Sequence, residues 1–381
     1  MSLAERAQCR LGDVTVSHDS RRRPVKSSER KSGPYPYYGA SGIVDHVDSF
    51  IFEGLHLLVA EDGENLRSRN TRVAYLADGQ FWVNNHAHVL QSNSRSDIRY
   101  LAYAIEQSDL SRYLTGSTQP KLTKTALESM MLELPPLGEQ QAIAEVLGAI
   151  DDKIAANETL AERAEALASL TYDSLVADWR RVAMSTVLQP ILGGTPLRAR
   201  EDYWKHGGEL WVSARDITAA PARVVVDTAE KITSSAIAET KAKPLPTGSV
   251  IFTARGTVGE VGRLGRPAAF NQSCYGFRPD VVPPGLLYFS ILRAAERAKA
   301  VAHGSVFDTI TKATFDHLDL AWDEGQAAAV EAALSPILEI STVAVRENRT
   351  LREVRDALLP ELMSGKLLVR DAAAAASQAG A

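Results

Sequence analysis

The sequence predicts an α+β protein: two globular units separated by two long helices packing as an antiparallel coiled coil, with an internal pseudo-twofold repeat. Three observations predict it. "GSTQPKLTKTALESMML" at Gly116 is nearly rewritten 188 positions later as "GSVFDTITKATFDHLDL" at Gly304. Each copy leads into a long stretch with apolar residues at helical spacing, and each is preceded by short apolar strands separated by glycine turns.

The elements follow in chain order. In residues 1–137, "LLVAEDGENLRSRN" reads as a strand and a turn at Gly63, "FWVNNHAHVL" as a strand interrupted at Asn84 and Asn85, and "DIRYLAYAIEQS" as a short helix. Residues 138–179 place Ile143, Leu147, Ile150, Ile154, Asn157 and Ala161 at alternating steps of four and three, the seam of a coiled coil. Residues 180–324 repeat the first pattern: "VIFTARGTVGEVG" sets Gly256 against Gly63, and "AAFNQSCYGF" sets Asn271 and Gln272 against the earlier amides. Residues 325–370 give a second seam, Val330, Leu334, Ile337, Ser341, Ala344, Asn348 and Leu351. Its asparagine lies further from the preceding isoleucine than Asn157 does, which predicts one extra turn, and Pro336 predicts a kink or a fresh start. Glu158, Glu162 and Glu165 on the first helix face a stripe of Arg346, Arg349, Arg352 and Arg355 on the second, which predicts pairing between them. The tail, 371–381, is alanine-rich and is expected to be disordered.

Composition narrows the function. At 381 residues the chain fits two domains plus connecting helices. No apolar run long enough to span a bilayer and no signal-like N-terminus is evident, so a cytoplasmic protein without a membrane is expected. Cys9 and Cys274 stand alone, offering neither a disulfide framework nor a zinc knuckle. The net charge of −5 is unevenly spread: 139–179 carries nine acidic and two basic side chains, while 180–325 carries 18 basic and 15 acidic. The globular units therefore keep room for basic patches. No phosphate loop, amino-methylation motif or nuclease array is present. His86 and His88 alternate on one strand with no third ligand nearby in sequence, so no metal is expected.

At this point the residues carry a family resemblance. "LPPLGEQQAIAEVLGAIDDKI" resembles the central conserved region of the specificity subunits of type I restriction-modification systems, and "LLPELMSGKL" the end of their C-terminal one. "YPYYGASGIVDHVDSFIFEG", "LLVAEDG" and "WVNNHAHVL" resemble one type of target-recognition domain; "LGGTPLRAREDYW", "ELWVSARDI" and "FNQS" resemble another. "AWDEGQAAAV" departs from the usual proline and "EQ" pattern before the second helix.

The resemblance implies a non-catalytic DNA-recognition subunit in phage defence and DNA modification. Each globular unit would read one half of a bipartite, asymmetric site, and the helices would act as a ruler for the unread spacer. The partners implied are double-stranded DNA, two modification (methyltransferase) subunits and, where present, restriction/translocase subunits. S-adenosylmethionine and ATP with magnesium would sit on those partners, with no cofactor in this chain. A helical interaction scaffold with protein-binding globular ends is the competing class, and a self-sufficient methyltransferase a third.

Amides and guanidiniums at turns are the groups suited to base edges, and lysines to phosphates. The candidates in the first unit are Arg67, Arg69, Asn84, Asn85, His86, Gln119, Lys121 and Lys124. In the second they are Arg198, Arg215, Arg255, Thr257, Asn271, Gln272 and Lys312. The competing expectation for each strand-end amide is that it caps its own turn.

Overall fold

The computed structural model describes residues 6–301 and 310–381, so the start of the second repeat copy, 304–309, lies outside the described residues. Packing divides the chain into two units, Met1–Asp152 with Leu351–Ala381, and Lys153–Thr350. Each holds one globular part and a portion of both long helices, Leu137–Leu175 and Ala327–Met363. The division falls within the helices rather than at their ends, because each helix portion buries its apolar seam together with the globular part packed on it.

In the first unit the chain enters and leaves its globular part through one antiparallel pair, Ala7–Arg10 with Met131–Leu134. Between them lie two four-stranded sheets. One is antiparallel, ordered Thr15–Ser17, Ala87–Ser92, His56–Ala60, Ala74–Ala77. His56–Ala60 is buried throughout, which explains its unbroken apolar run "LLVA". The other is ordered Gly42–Val47, Tyr35–Gly39, Gln80–Val83, Phe52–Glu53, its middle two strands running parallel. Phe52 and Phe81 stack at 5.6 Å in the core with Leu58, Val83 and Val89. The helix Ile98–Gln107 is capped by Asp97, whose carboxylate accepts from the amides of Arg99 and Tyr100.

The second unit repeats this plan down to single hydrogen bonds. Its entry and exit strands are Arg181–Ala183 and Asp319–Ala321. The parallel pair recurs as Glu209–Val212 beside Ala269–Phe270. After it, the Asn271 amide donates to the Val212 carbonyl at 2.9 Å, as the Asn84 amide donates to Tyr38 at 3.0 Å. Ala254 donates to Ser273 as Glu61 does to His86, and Ile310 to Ala254 as Leu122 does to Glu61. Gly63 (φ +110°) and Gly256 (φ +79°) turn the chain after equivalent strands through the left-handed region that glycine enters freely.

The helices pack antiparallel within each unit. In the second, Ile154 lies by Asn348, Ala161 by Ala344 and Tyr172 in the core with Leu334. In the first, Asp151 pairs with Arg355 at 2.9 Å. Both seam asparagines are buried at one level: Asn157 donates to Glu347 at 2.7 Å and Asn348 to the Ile154 carbonyl at 2.9 Å. Ile143, Leu147, Ile150, Val330, Leu334 and Leu351 are buried too, whereas Ile337 is only partly so and Leu338 takes the inner place.

Four expectations are corrected here. The second helix has no extra turn, at 37 residues against 39, and its inner face takes Leu338 where Ile337 was expected. It runs unbroken through Pro336, which sits on the exposed side where the carbonyl left unbonded is not buried. It also contains an 18-residue stretch of mean hydropathy 1.5, apolar enough by length and composition to cross a membrane, although Val330, Leu334 and Leu338 are packed inside the unit. The tail is helical over Val369–Gln378, with Ala372 and Ala376 buried; alanine has the highest helix propensity and its small side chain permits close approach.

The charge stripe is shared with the globular parts. Arg349 pairs with Asp227 at 3.2 Å, and Arg346 donates to the Gly265 carbonyl. Glu165 accepts from the Tyr288 hydroxyl at 2.5 Å and lies 3.9 Å from Arg263. Arg263, on strand Val261–Leu264, is buried among Thr342 Oγ1 at 2.5 Å, Ser341 Oγ and the Leu338 carbonyl at 3.2 Å. A carboxylate of the first helix thus holds a tyrosine of the globular part by a hydrogen bond and faces one of its arginines at ion-pair distance. The first unit does the same with Asp151, which accepts from Arg72 at 2.7 Å and Tyr103 at 2.7 Å.

Candidate nucleic-acid interface

In each unit the turns singled out from sequence converge at one end of the strands. In the first, the turn after His56–Ala60 joins the exit segment through an Asp62–Lys121 bridge and a Gly63 amide bonded to the Pro120 carbonyl at 3.1 Å. His86 Nδ1 lies 2.8 Å from Asp62, and Lys121 lies 3.2 Å from Glu61. Arg67 donates to the Gly116 carbonyl at 2.8 Å. His86, Lys121, Arg67, Asn85 and Gln119 are therefore neighbours, and both Asn85 and Gln119 are exposed.

Two first-unit candidates are engaged by the fold, and a third lies in a solvated ion pair. Asn84 is buried and its side-chain oxygen accepts from the His86 amide at 2.7 Å, closing its own turn. Arg69 caps the short helix before it in a left-handed conformation (φ +51°) and donates to the Ser108 carbonyl at 2.7 Å. Lys124 lies 3.6 Å from Glu128, one turn on, and remains half-exposed.

The second unit shows the same sorting. Asn271 closes its turn by accepting from the Ser273 amide at 3.0 Å, so the repeated asparagine is a turn device in both units. Gln272, Arg255 and Arg215 are exposed. The Thr257 hydroxyl lies 3.3 Å from Thr218 in the helix Ala214–Ala219, which brings Arg215's helix to the Arg255–Thr257 turn. Lys312 is exposed and follows Thr311, the N-cap position of Lys312–Asp316 as Thr123 is of Lys124–Glu128; the Thr311 amide donates to the Thr314 hydroxyl at 3.1 Å, whereas the Thr123 hydroxyl accepts from the Ala126 amide at 3.2 Å. Arg198 is not presented to solvent as a lone fork: it makes a bidentate pair with Glu230 at 2.5 and 2.9 Å, 3.7 Å above the Trp204 ring.

Beneath the first interface lies a polar cluster that spacing along the sequence does not announce. His88, almost fully buried, places Nδ1 2.6 Å from Asp19 and Nε2 2.8 Å from the Leu122 carbonyl. Since a carbonyl only accepts, Nε2 donates there. Arg22 reaches Glu61 at 2.6 Å and Asp19 at 3.2 Å. Asp19, Glu61 and His88 bring their ligand atoms within 4.8 Å of one another, a spacing that could hold a metal ion. The guanidinium among them gives the two carboxylates a cation already, so the donor set is that of an ion-pair cluster. Two acidic groups thus stand beside His88 where its sequence neighbours offered none.

Burial pushes the Asp19 carboxyl up, but the hydrogen bond and charge of His88, with Arg22, outweigh it and leave it lowered from its ordinary 3.8. Glu61 is likewise held below 4.5 against burial, by Arg22, His88 and Lys121. A lowered folded-state value means stability that is present above the unfolded value and lost as pH falls through the folded one. Thermal unfolding followed from about pH 6 down to about pH 3 should therefore show a loss that Asp19→Asn with Glu61→Gln flattens. An unchanged slope in that variant would contradict the cluster's role.

Comparison with known proteins adds a family. The family model described as Type I restriction modification DNA specificity domain matches residues 6–166 and again 178–321. A Haemophilus influenzae protein named as a type I restriction enzyme specificity subunit is 37% identical over 140 residues, 37% of this chain and 36% of its own length. The EcoprrI specificity subunit of Escherichia coli is 27% identical over 150 residues, 39% of this chain and 35% of its own length. These alignments span about a third of each curated relative. The S subunit of a type I restriction-modification system from M. genitalium shares the fold, with a TM-score of 0.67 at 12% identity over 95% of this chain and 97% of that one.

Proposed function

Because the chain belongs to the type I restriction-modification DNA specificity family, we propose that it reads a bipartite DNA site without itself doing chemistry on it. The observation that carries this reading is the duplicated edge. Two globular parts share one hydrogen-bonded scaffold, Glu61–His86–Leu122 and Ala254–Ser273–Ile310, yet display different side chains around it. Arg67, Asn85, His86 and Gln119 surround one edge; Arg215, Arg255, Thr257 and Gln272 surround the other. One scaffold with two side-chain sets suits two half-sites of different sequence.

The remaining parts of the reaction fall to partners. Modification subunits, two by the chain's own duplication, would carry S-adenosylmethionine and flip the target base from the duplex. Restriction/translocase subunits, where present, would use ATP and magnesium. The long helices are the surfaces available for docking them, with Leu160, Leu167 and Leu170 exposed along the first.

The test is binding of duplex DNA by the full chain, alone and with its modification partner, as salt is raised. Phosphate neutralisation makes affinity fall by roughly 10³ or more between about 50 and about 200 mM salt for six to ten contacts. The chain alone is expected to bind in this salt-dependent way and to leave DNA neither methylated nor cut. Absence of duplex binding would favour a protein-binding scaffold, and methyl transfer by the isolated chain would overturn the division of labour.

A further inference from the structure

We infer that residues 21–31 form an arm of the first globular part that lies along duplex phosphates, and that Arg30 and Arg198 are positioning residues holding this arm and its second-unit counterpart. The inference rests on the DNA-reading proposal and deepens it. The segment "RRRPVKSSERK" carries six basic side chains and one acidic. Arg22 turns inward to Glu61, which ties the base of the arm to the turn beneath the candidate interface. Arg21, Arg23, Lys26 and Lys31 are exposed, Arg21 with its guanidinium over the Phe52 ring at 4.7 Å and donating to the Ile51 carbonyl at 2.6 Å, which leaves its charge without a carboxylate partner among the described residues. Lys26 lies 3.8 Å from Glu29 with both side chains in solvent, and Arg23 and Lys31 hold no ion pair among the described residues. Exposed cations of one sign on a segment anchored at that interface suit phosphate contact.

The arm is held by a three-part clamp. The Arg30 guanidinium lies 4.5 Å over the Tyr37 ring, pairs with Asp45 at 3.0 Å and donates through Nε to the Val25 carbonyl at 3.1 Å. The Tyr37 hydroxyl accepts from the Val25 amide at 2.9 Å, and Asp45 lies directly across the strand pair from Tyr37.

The second unit builds the same clamp from different residues. Trp211 takes the place of Tyr37 at the start of the parallel pair, facing Ala269 as Tyr37 faces Trp82. Arg198 lies 5.1 Å over its ring and pairs with Glu230, next along from the Lys231 that pairs with Leu210. Trp211 Nε1 donates to the Gly194 carbonyl at 3.0 Å, tying down the loop as Tyr37 does. A cation, a ring and a carboxylate recur at one place in two dissimilar sequences. With the ring under the guanidinium and the carboxylate on its fork, neither arginine presents the bidentate edge that reads guanine. The arms themselves differ, because the second keeps its cations in pairs, Arg200 with Asp202 and Lys205 with Glu201.

The experiment uses the full chain and a fluorescent mixed-sequence duplex, titrated at several salt concentrations. Replacing Arg21, Arg23, Lys26 and Lys31 together by alanine should make the plot of log affinity against log salt shallower by about 3.6, about 0.9 for each of the four phosphates no longer neutralised. Asp45→Asn should make it shallower too with the melting temperature unchanged, and Asp45→Glu should restore it. If the parent chain binds with a steep slope and the fourfold variant keeps that slope, the arm is not a phosphate surface. If Asp45→Asn lowers the melting temperature and leaves the slope alone, the clamp is structural only. Failure of the parent chain to bind duplex would instead remove the DNA-reading proposal beneath both.

Discussion

Glu165→Leu is expected to destabilise the second unit by about 3–5 kcal/mol, the usual cost of stranding a buried charge whose partner is removed. The stranded charge is Arg263, only 7% exposed, which cannot shed its proton. Its remaining hydrogen-bond partners, Thr342, Ser341 and the Leu338 carbonyl, are dipoles, and the next carboxylate that acts on it, Glu339, is solvated and paired with Arg346. The reverse variant should be milder. Burial pushes the Glu165 carboxyl up and Tyr288 already donates to it, so with Arg263→Met the carboxyl can protonate in place. A group whose folded value is raised gives stability present below its unfolded value and lost as pH rises through the folded one. The Arg263→Met variant should accordingly recover as pH is lowered, whereas Glu165→Leu should not. Combining Glu165→Leu with Arg263→Met removes both charges and should recover most of the loss, within about 1 kcal/mol of the parent. Denaturant unfolding followed by tryptophan fluorescence reports mainly this unit, which contains Trp179, Trp204, Trp211 and Trp322 but not Trp82. Equal losses in the single variants, with an additive double, would show that the pair is not coupled.

How much of this was legible in the sequence depends on the range over which each feature is written. Helix periodicity is local, so Ile143 to Ala161 announced their seam, and the glycines Gly63 and Gly256 announced their turns. The repeat was legible because two copies of one fold need matching residues at matching bends. The seam of the second helix was misjudged by one residue, at Ile337 against Leu338, since both are apolar and only the partner surface chooses between them. Pro336 and the alanine tail were misread because propensity yields to context: an exposed proline leaves no buried carbonyl unpaired, and Ala372 and Ala376 found a surface to pack on.

The candidate interface was legible by region more than by residue. The turns holding Asn85, His86, Lys121, Arg255 and Gln272 do gather at the strand ends, but Asn84 and Asn271 serve their own turns and Arg69 and Arg198 serve neighbouring loops. Type alone cannot say whether a polar group bonds its own backbone or faces outward. The cluster of Asp19, Glu61, Arg22 and His88 draws on three distant segments, and no spacing rule joins them. The arm at 21–31 carries a plain signal, its density of basic residues, but those residues lie between strands rather than at a glycine or amide turn, where base-reading groups were expected.

Exchange of one globular part addresses the central claim most directly, and its expected effect is the largest on function. Residues 184–318 lie between the paired strands Arg181–Ala183 and Asp319–Ala321, where Ala183 stands opposite Asp319. A segment cut there has adjacent ends and leaves the strand pair and both long helices in the parent chain, and the donor segment is one that keeps Arg263, Tyr288 and Phe289, because these pack on Glu165 and Tyr172 of the first helix. The measurement is the pattern of methylated adenines in the genome of cells that carry the exchanged chain with its modification partner. The account predicts that one half-site changes to that of the donor while the other half-site stays as in the parent. A pattern in which both half-sites change, or in which the parental site persists intact, would contradict two independent readers on one chain.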